Sequence, residues 1–212
     1  MHSSPSSSEP ITNSLIGKLT GPIAATAVLV LFYVLMLASL REKSATFDEP
    51  GHLVAGYTYW KFNDYRVDPE NGNLPQRWAA LPLLLGDFHF PSASSEIWRN
   101  ADSWLLSDAS FYRMGNDAAA LFARGRAMSG LFAVGLGAIV WLWSRQLFGP
   151  EGAMISLILY GLNPTVLANG ALTTSDMPAA FFFLTSVYLV SRMLEKVSLA
   201  RTLASGLAMA GL

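Results

Sequence analysis

Three residues within five positions, Asp48, Glu49 and His52 in "SATFDEPGHLVAGYTYW", can each give or take a proton. An ionised carboxylate here can serve as general base toward a hydroxyl nucleophile, an effect of about 10²–10⁴-fold in rate. Carboxylate oxygen and imidazole nitrogen are also ligands for a divalent cation. The ordinary reading is a helix cap. Asp48 precedes Glu49-Pro50, proline suits a first helical turn, and carboxylates are favoured at the positive end of the helix dipole. A helix over 50–60 follows, with Leu53, Tyr57 and Trp60 on one face. Capping and catalysis are compatible.

A second acid, Asp176, stands in "LTTSDMP" beside the hydroxyls of Thr173, Thr174 and Ser175. It too reads as a cap with proline in the first turn. Arg66 and Arg77 carry the planar guanidinium that grips phosphate in bidentate fashion. Their ordinary reading is a solvated or snorkelling arginine. His89 has no acidic neighbour and reads as a loop histidine.

The elements that must position these residues are apolar. Of 212 residues 52% are hydrophobic and only 14% charged, against about 25% in soluble domains. The net charge of −1 offers no basic surface for nucleic acid, and without cysteine there are no disulfides or thiolate metal sites. Uncharged or nearly uncharged blocks at 21–40, 127–148, 153–172 and 177–194 are each of membrane-crossing size, about 20 residues, and a fifth starts at 203–212. The first exceeds the apolar core of about 7–15 residues of a cleaved signal, and only Lys18 precedes it, so it reads as a retained span. Residues 1–18, rich in serine and proline, read as a disordered tail. Residues 19–212 read as the transmembrane part.

Twenty of the 29 formal charges lie in 41–126, which therefore forms one large hydrophilic loop between the first two spans. "FGPEG" at Phe148–Gly152 turns the chain between spans two and three, and "TTSD" does so between three and four. Crossing parity then places Asp48, Glu49 and Asp176 on one side. Arg145, Arg192, Lys196 and Arg201 fall on the other side, which the positive-inside rule makes cytoplasmic. Within the loop, Leu74, Trp78, Leu81 and Leu85 share a helical face, with Pro82 ending or kinking the helix. Ile97, Trp98, Trp104 and Leu105 form a second apolar stretch. Both fit helices lying in the interface, and both equally fit a small core outside the membrane.

Two blocks resemble a known family. Thr46–Leu85, "TFDEPGHLVAGYTYWKFNDYRVDPENGNLPQRWAALPLLL", is similar to the first extracytoplasmic loop of bacterial GT-C glycosyltransferases, nearest the protein O-mannosyltransferase-like and aminoarabinose-transferase-like groups. Leu162–Val190 resembles their second stretch, and together the two cover about a third of the chain. The resemblance implies an all-α polytopic transmembrane bundle whose large extracytoplasmic loop carries interfacial helices. It implies transfer of a sugar from a polyprenyl-phosphate donor to a lipid, glycan or protein acceptor at the outer face of the bacterial inner membrane. Asp48 matches the catalytic carboxylate, Glu49 its acidic neighbour and Asp176 the second acidic position. His52, Tyr57, Arg66 and Arg77 fall among the expected substrate-binding residues, with Arg77 where relatives carry a base for the carrier phosphate. Relatives often read His-Pro-Pro-Leu with a lysine soon after; here Gly72-Asn73-Leu74-Pro75 precedes Arg77. Some relatives use a divalent cation and others none, and the sequence demands no cofactor. Relatives are longer, so the chain is expected to be an N-terminal portion, inactive alone. Two other readings stay open: a transporter or flippase for a lipid-linked substrate, and a non-catalytic membrane scaffold of the same fold.

Overall fold

The computed structural model describes residue 17 and residues 19–212; the expected disordered tail lies outside the described residues, residue 17 apart. All regular structure among them is helical. The helices are α1 (Pro22–Leu40), α2 (Glu49–Phe62), α3 (Asn73–Ala80), α4 (Glu96–Asn100), α5 (Ser103–Asp108), α6 (Ala118–Gly161), α7 (Pro164–Asn169), α8 (Asp176–Glu195) and α9 (Leu199–Ala210). Three of them, α1, α6 and α8, are long and apolar enough to cross a membrane. Large apolar side chains point outward along them, among them Ile23 at 87% exposure and Leu159 at 68%. Such surface is stable against lipid and a liability in water. The chain is an integral membrane protein of all-α class.

The 44 residues of α6 are two limbs. Gly149 breaks the helix with φ 76° and ψ −176°, a conformation closed to side chains with a Cβ, and Pro150 starts the second limb. The limbs fold back on each other, since the Tyr160 hydroxyl donates to the Ala133 carbonyl at 2.7 Å. The "FGPEG" turn is thus a hairpin hinge. The apolar block 153–172 is not one helix. Its first limb ends at Gly161, and Asn163 caps the separate α7 by accepting from the Thr165 N–H at 2.9 Å. Pro164 explains the break, because it disfavours helical backbone at the residue before it.

The first limb of α6 packs on α1 through small residues that allow close approach, as in other membrane bundles. Met36, Phe32 and Leu40 of α1 meet Ala133 and Ala171 in one buried cluster, and the Tyr33 hydroxyl donates to the Ala127 carbonyl at 2.8 Å.

The hydrophilic loop builds its own core. Leu53, Val54, Tyr57 and Tyr59 of α2 pack with Val67, Ala79, Leu83, Trp98, Leu106, Phe111 and Phe122. α2 and α3 touch closely: a Cβ on Gly56 would lie 2.1 Å from the Gln76 carbonyl oxygen. In α3 the buried face is Gln76, Ala79 and Ala80, while Leu74 is 45% exposed and Leu85, beyond it, 89%. The α-helix gives way at Leu81–Leu85 to a tighter 3-10 turn around Pro82. The reading as a small core thus holds for part of this loop. Trp98 joins the core, whereas the outward Leu74, Leu85, Trp104 and Leu105 keep an apolar surface.

Candidate active site

The site is built where three segments meet: the first turn of α2, the start of α6 and the link 170–175 before α8. Arg126 of α6 is only 4% exposed, and Glu49 is fully enclosed. The Arg126 Nε donates to Glu49 Oε1 at 2.8 Å and its Nη2 to Oε2 at 2.7 Å. The remaining guanidinium protons go to the carbonyls of Leu40, Lys43 and Ser44 at 2.9, 3.0 and 2.9 Å. Glu49 also accepts from the Thr46 N–H at 2.9 Å and from the Thr173 N–H at 3.2 Å. Every lone pair and every N–H of this pair is engaged, the condition under which a buried ion pair is tolerated. Burial pushes the Glu49 carboxyl up, but the Arg126 hydrogen bonds and charge and the two N–H donors outweigh it, leaving it below its ordinary value.

His52, one turn on, faces the same link. Its Nδ1 lies 2.9 Å from the Thr173 carbonyl, which can only accept, so Nδ1 carries a proton. Its Nε2 lies 3.5 Å from Asp68 Oδ2. That carboxylate accepts hydrogen bonds from Gln76 Nε2 at 2.6 Å and from Asn71 Nδ2 at 3.0 Å. Thr173 is therefore held at both its N–H and its C=O by the first turn of α2.

These contacts bring the two acid-bearing segments together. Asp48 occupies the N-cap position of α2 but makes no capping bond; its carboxylate is exposed and has no partner among the described residues. Asp176 begins α8 and is exposed, and it accepts from the Thr174 hydroxyl at 3.5 Å. The adjoining Gly72–Pro75 segment and Ser175 line a cavity of about 260 Å³ with the end of α9.

The other expected site residues lie elsewhere. Tyr57 is a core residue, its ring 4.8 Å from Phe88 and 5.3 Å from Phe90, and burial pushes its hydroxyl up. Arg66 is bound to Asp64 at 2.7 Å and to the Arg99 carbonyl at 3.0 Å. Arg77 has no acidic partner among the described residues. Its guanidinium sits in an aromatic box, 4.7 Å from Trp60, 5.4 Å from Tyr65 and 5.9 Å from Tyr59, and donates to the Tyr65 hydroxyl. Trp60 and Asp48 are twelve residues apart along α2, about 18 Å of helix, so Arg77 and Asp48 lie toward opposite ends. Among the described residues no three His, Asp or Glu side chains gather as a ligand set for a metal ion. Of Asp48, Glu49 and His52, Glu49 is spent on Arg126 and His52 on Thr173 and Asp68.

Residues 118–212 match the family model of dolichyl-phosphate-mannose-protein mannosyltransferases. This stretch, just under half of the chain, is similar to that family. It carries Arg126, the α6 hairpin, Thr173 and Asp176, so the half of the site beyond α2 lies within the match. No curated protein and no solved structure matches the chain. Sequence reasoning missed Arg126, Asp68 and the backbone of Thr173 in this site. Arg126 left a signal: it shares a helical stripe with Ser129, Gly130 and Ala133, all buried, and a cation on an apolar stripe needs a buried counterion. Asp68 in "RVDPENG" reads as a turn and left none.

Proposed function

We propose that the protein transfers a sugar from a polyprenyl-phosphate donor to a hydroxyl acceptor at the membrane surface, with Asp48 as general base. What carries this reading is the contrast among three acids held in one place. Glu49 is locked by Arg126, while Asp48 and Asp176 stay free at the meeting of α2 and the link to α8. The acceptor hydroxyl gives its proton to Asp48 as its oxygen attacks the anomeric carbon; the bond to the carrier phosphate breaks, and the phosphate leaves with the electron pair. One-step displacement inverts the sugar carbon. Glu49 is a positioning residue that aims Asp48 by fixing the first turn of α2. Asp176 faces the sugar from the opposite segment. Arg77, near the far end of α2, is assigned to the donor away from the reacting carbon, its boxed guanidinium open to phosphate oxygens. The positive flanks of the hairpin ends favour an extracytoplasmic site.

The test is transfer of radiolabelled sugar from a polyprenyl-phosphate donor by the full-length protein that carries this chain, in proteoliposomes. Asp48→Asn should lower turnover by at least about a hundredfold with unchanged thermal stability. Unchanged turnover would overturn the assignment. Donor binding with no transfer by the wild type would favour the scaffold reading.

A further inference from the structure

Behind the Arg126 knot, on the side away from Thr173, a groove of about 640 Å³ opens between the last turn of α1, residues 41–45, Tyr112 and the first turns of α6. This is the size of a small-molecule site. Its walls are apolar, with Leu37, Leu40 and Phe122 prominent. At its rim stand Arg41 and Lys43, whose side chains have no ion-pair partner among the described residues, and the 60% exposed Tyr112, whose hydroxyl likewise has no partner among them. No carboxylate lines it.

The groove also lies at a particular height. α1 ends at Leu40, the membrane-crossing part of α6 begins a few residues beyond Phe122, and Arg41, Lys43 and Tyr112 belong to the hydrophilic loop. Charge and hydroxyl therefore stand at headgroup level, with apolar wall leading into the bilayer. Basic pockets at the ends of transmembrane helices are chemically suited to anionic headgroups. A donor for sugar transfer must place its anomeric carbon beside a carboxylate, and this groove has none.

We propose that the groove seats a membrane phospholipid with an anionic headgroup. Its phosphate lies among Arg41, Lys43 and Tyr112, and the glycerol end of its chains lies against Leu37, Leu40 and Phe122. The carbonyls of Leu40, Lys43 and Ser44 in this rim are the ones Arg126 holds. A lipid bound here steadies the segment that leads into Asp48.

The experiment titrates the full chain in detergent with phosphatidylglycerol, phosphatidylcholine, a polyprenyl phosphate or inorganic phosphate, and reads bound lipid by native mass spectrometry. Phosphatidylglycerol should bind at least tenfold tighter than phosphatidylcholine. Arg41→Gln with Lys43→Gln should weaken it roughly thirtyfold. Ala119→Trp, which fills the groove and leaves both cations, should abolish binding while circular dichroism stays unchanged. Equal retention of the two phospholipids, or full binding by the double variant, overturns the proposal. So does displacement by equimolar polyprenyl phosphate, which would make the groove a carrier site, or by millimolar inorganic phosphate, which would make it a bare anion site.

Discussion

Arg126 and Glu49, 77 positions apart, form a doubly hydrogen-bonded ion pair sealed from solvent, at 2.8 and 2.7 Å. The pair ties the membrane helix α6 to the loop helix α2. Removing one partner of a buried pair leaves an uncompensated charge and costs about 3–5 kcal/mol. Arg126→Ala is expected to lower the thermal unfolding temperature of the detergent-solubilised protein sharply. Arg126→Met combined with Glu49→Leu should recover most of that loss, because neither charge is then left buried. A double variant as unstable as the single one would show that the pair is not what holds the two helices.

The same pair sets an acid limit. The folded-state Glu49 carboxyl lies below its ordinary value of 4.5, so the unfolded chain takes up the proton first. Its contribution is therefore whole above about pH 4.5 and is lost as pH falls through the folded value. Urea unfolding followed between pH 7 and pH 3 should show wild-type stability falling in that acid window. Glu49→Gln should be less stable at neutral pH and flatter across the window, and identical slopes would remove Glu49 as the cause.

Gly56→Ala should destabilise the loop. The added Cβ would lie 2.1 Å from the Gln76 carbonyl oxygen and 2.8 Å from the Ala80 Cβ, so α2 and α3 must move apart. Overpacking of this kind costs about 1–3 kcal/mol. Because Gln76 holds Asp68 and Asp68 faces His52, amide exchange at the first turn of α2 should also speed up. Thermal unfolding with hydrogen exchange reads both effects.

Arg77 and Asp176 should separate donor binding from chemistry. Arg77→Ala is expected to raise the KM for the polyprenyl-phosphate donor about tenfold with a smaller change in kcat, as loss of a contact made equally in ground and transition states does. Asp176→Asn is expected to lower kcat more than KM. Steady-state kinetics in proteoliposomes distinguishes them, and the reverse pattern would exchange the two roles.

Much of this molecule is legible in its sequence. The long apolar blocks, the glycine-proline hinge at Gly149 and the gathering of Asp48, Glu49 and Asp176 at one end follow from block length, turn chemistry and crossing parity. Three things were not legible. The break at Leu162–Asn163 hid inside a block whose hydropathy does not fall. The partner of Glu49 lay 77 residues away, and periodicity says which face is buried but not what meets it. The distance of Arg77 from Asp48 depends on how α3 lies against α2, which no local pattern encodes.

Thr173 reaches Glu49 and His52 through its amide and carbonyl, and its own hydroxyl is buried without a partner among the described residues. The latch is thus written in main chain. Thr173→Val should leave it shut without loss of strength, because it removes an orphaned hydroxyl and keeps the main chain. Deleting a single residue between 170 and 175 would rotate the amide out of register and unfasten it, so the length of this link, more than its lettering, is what the acid-bearing end of the bundle depends on.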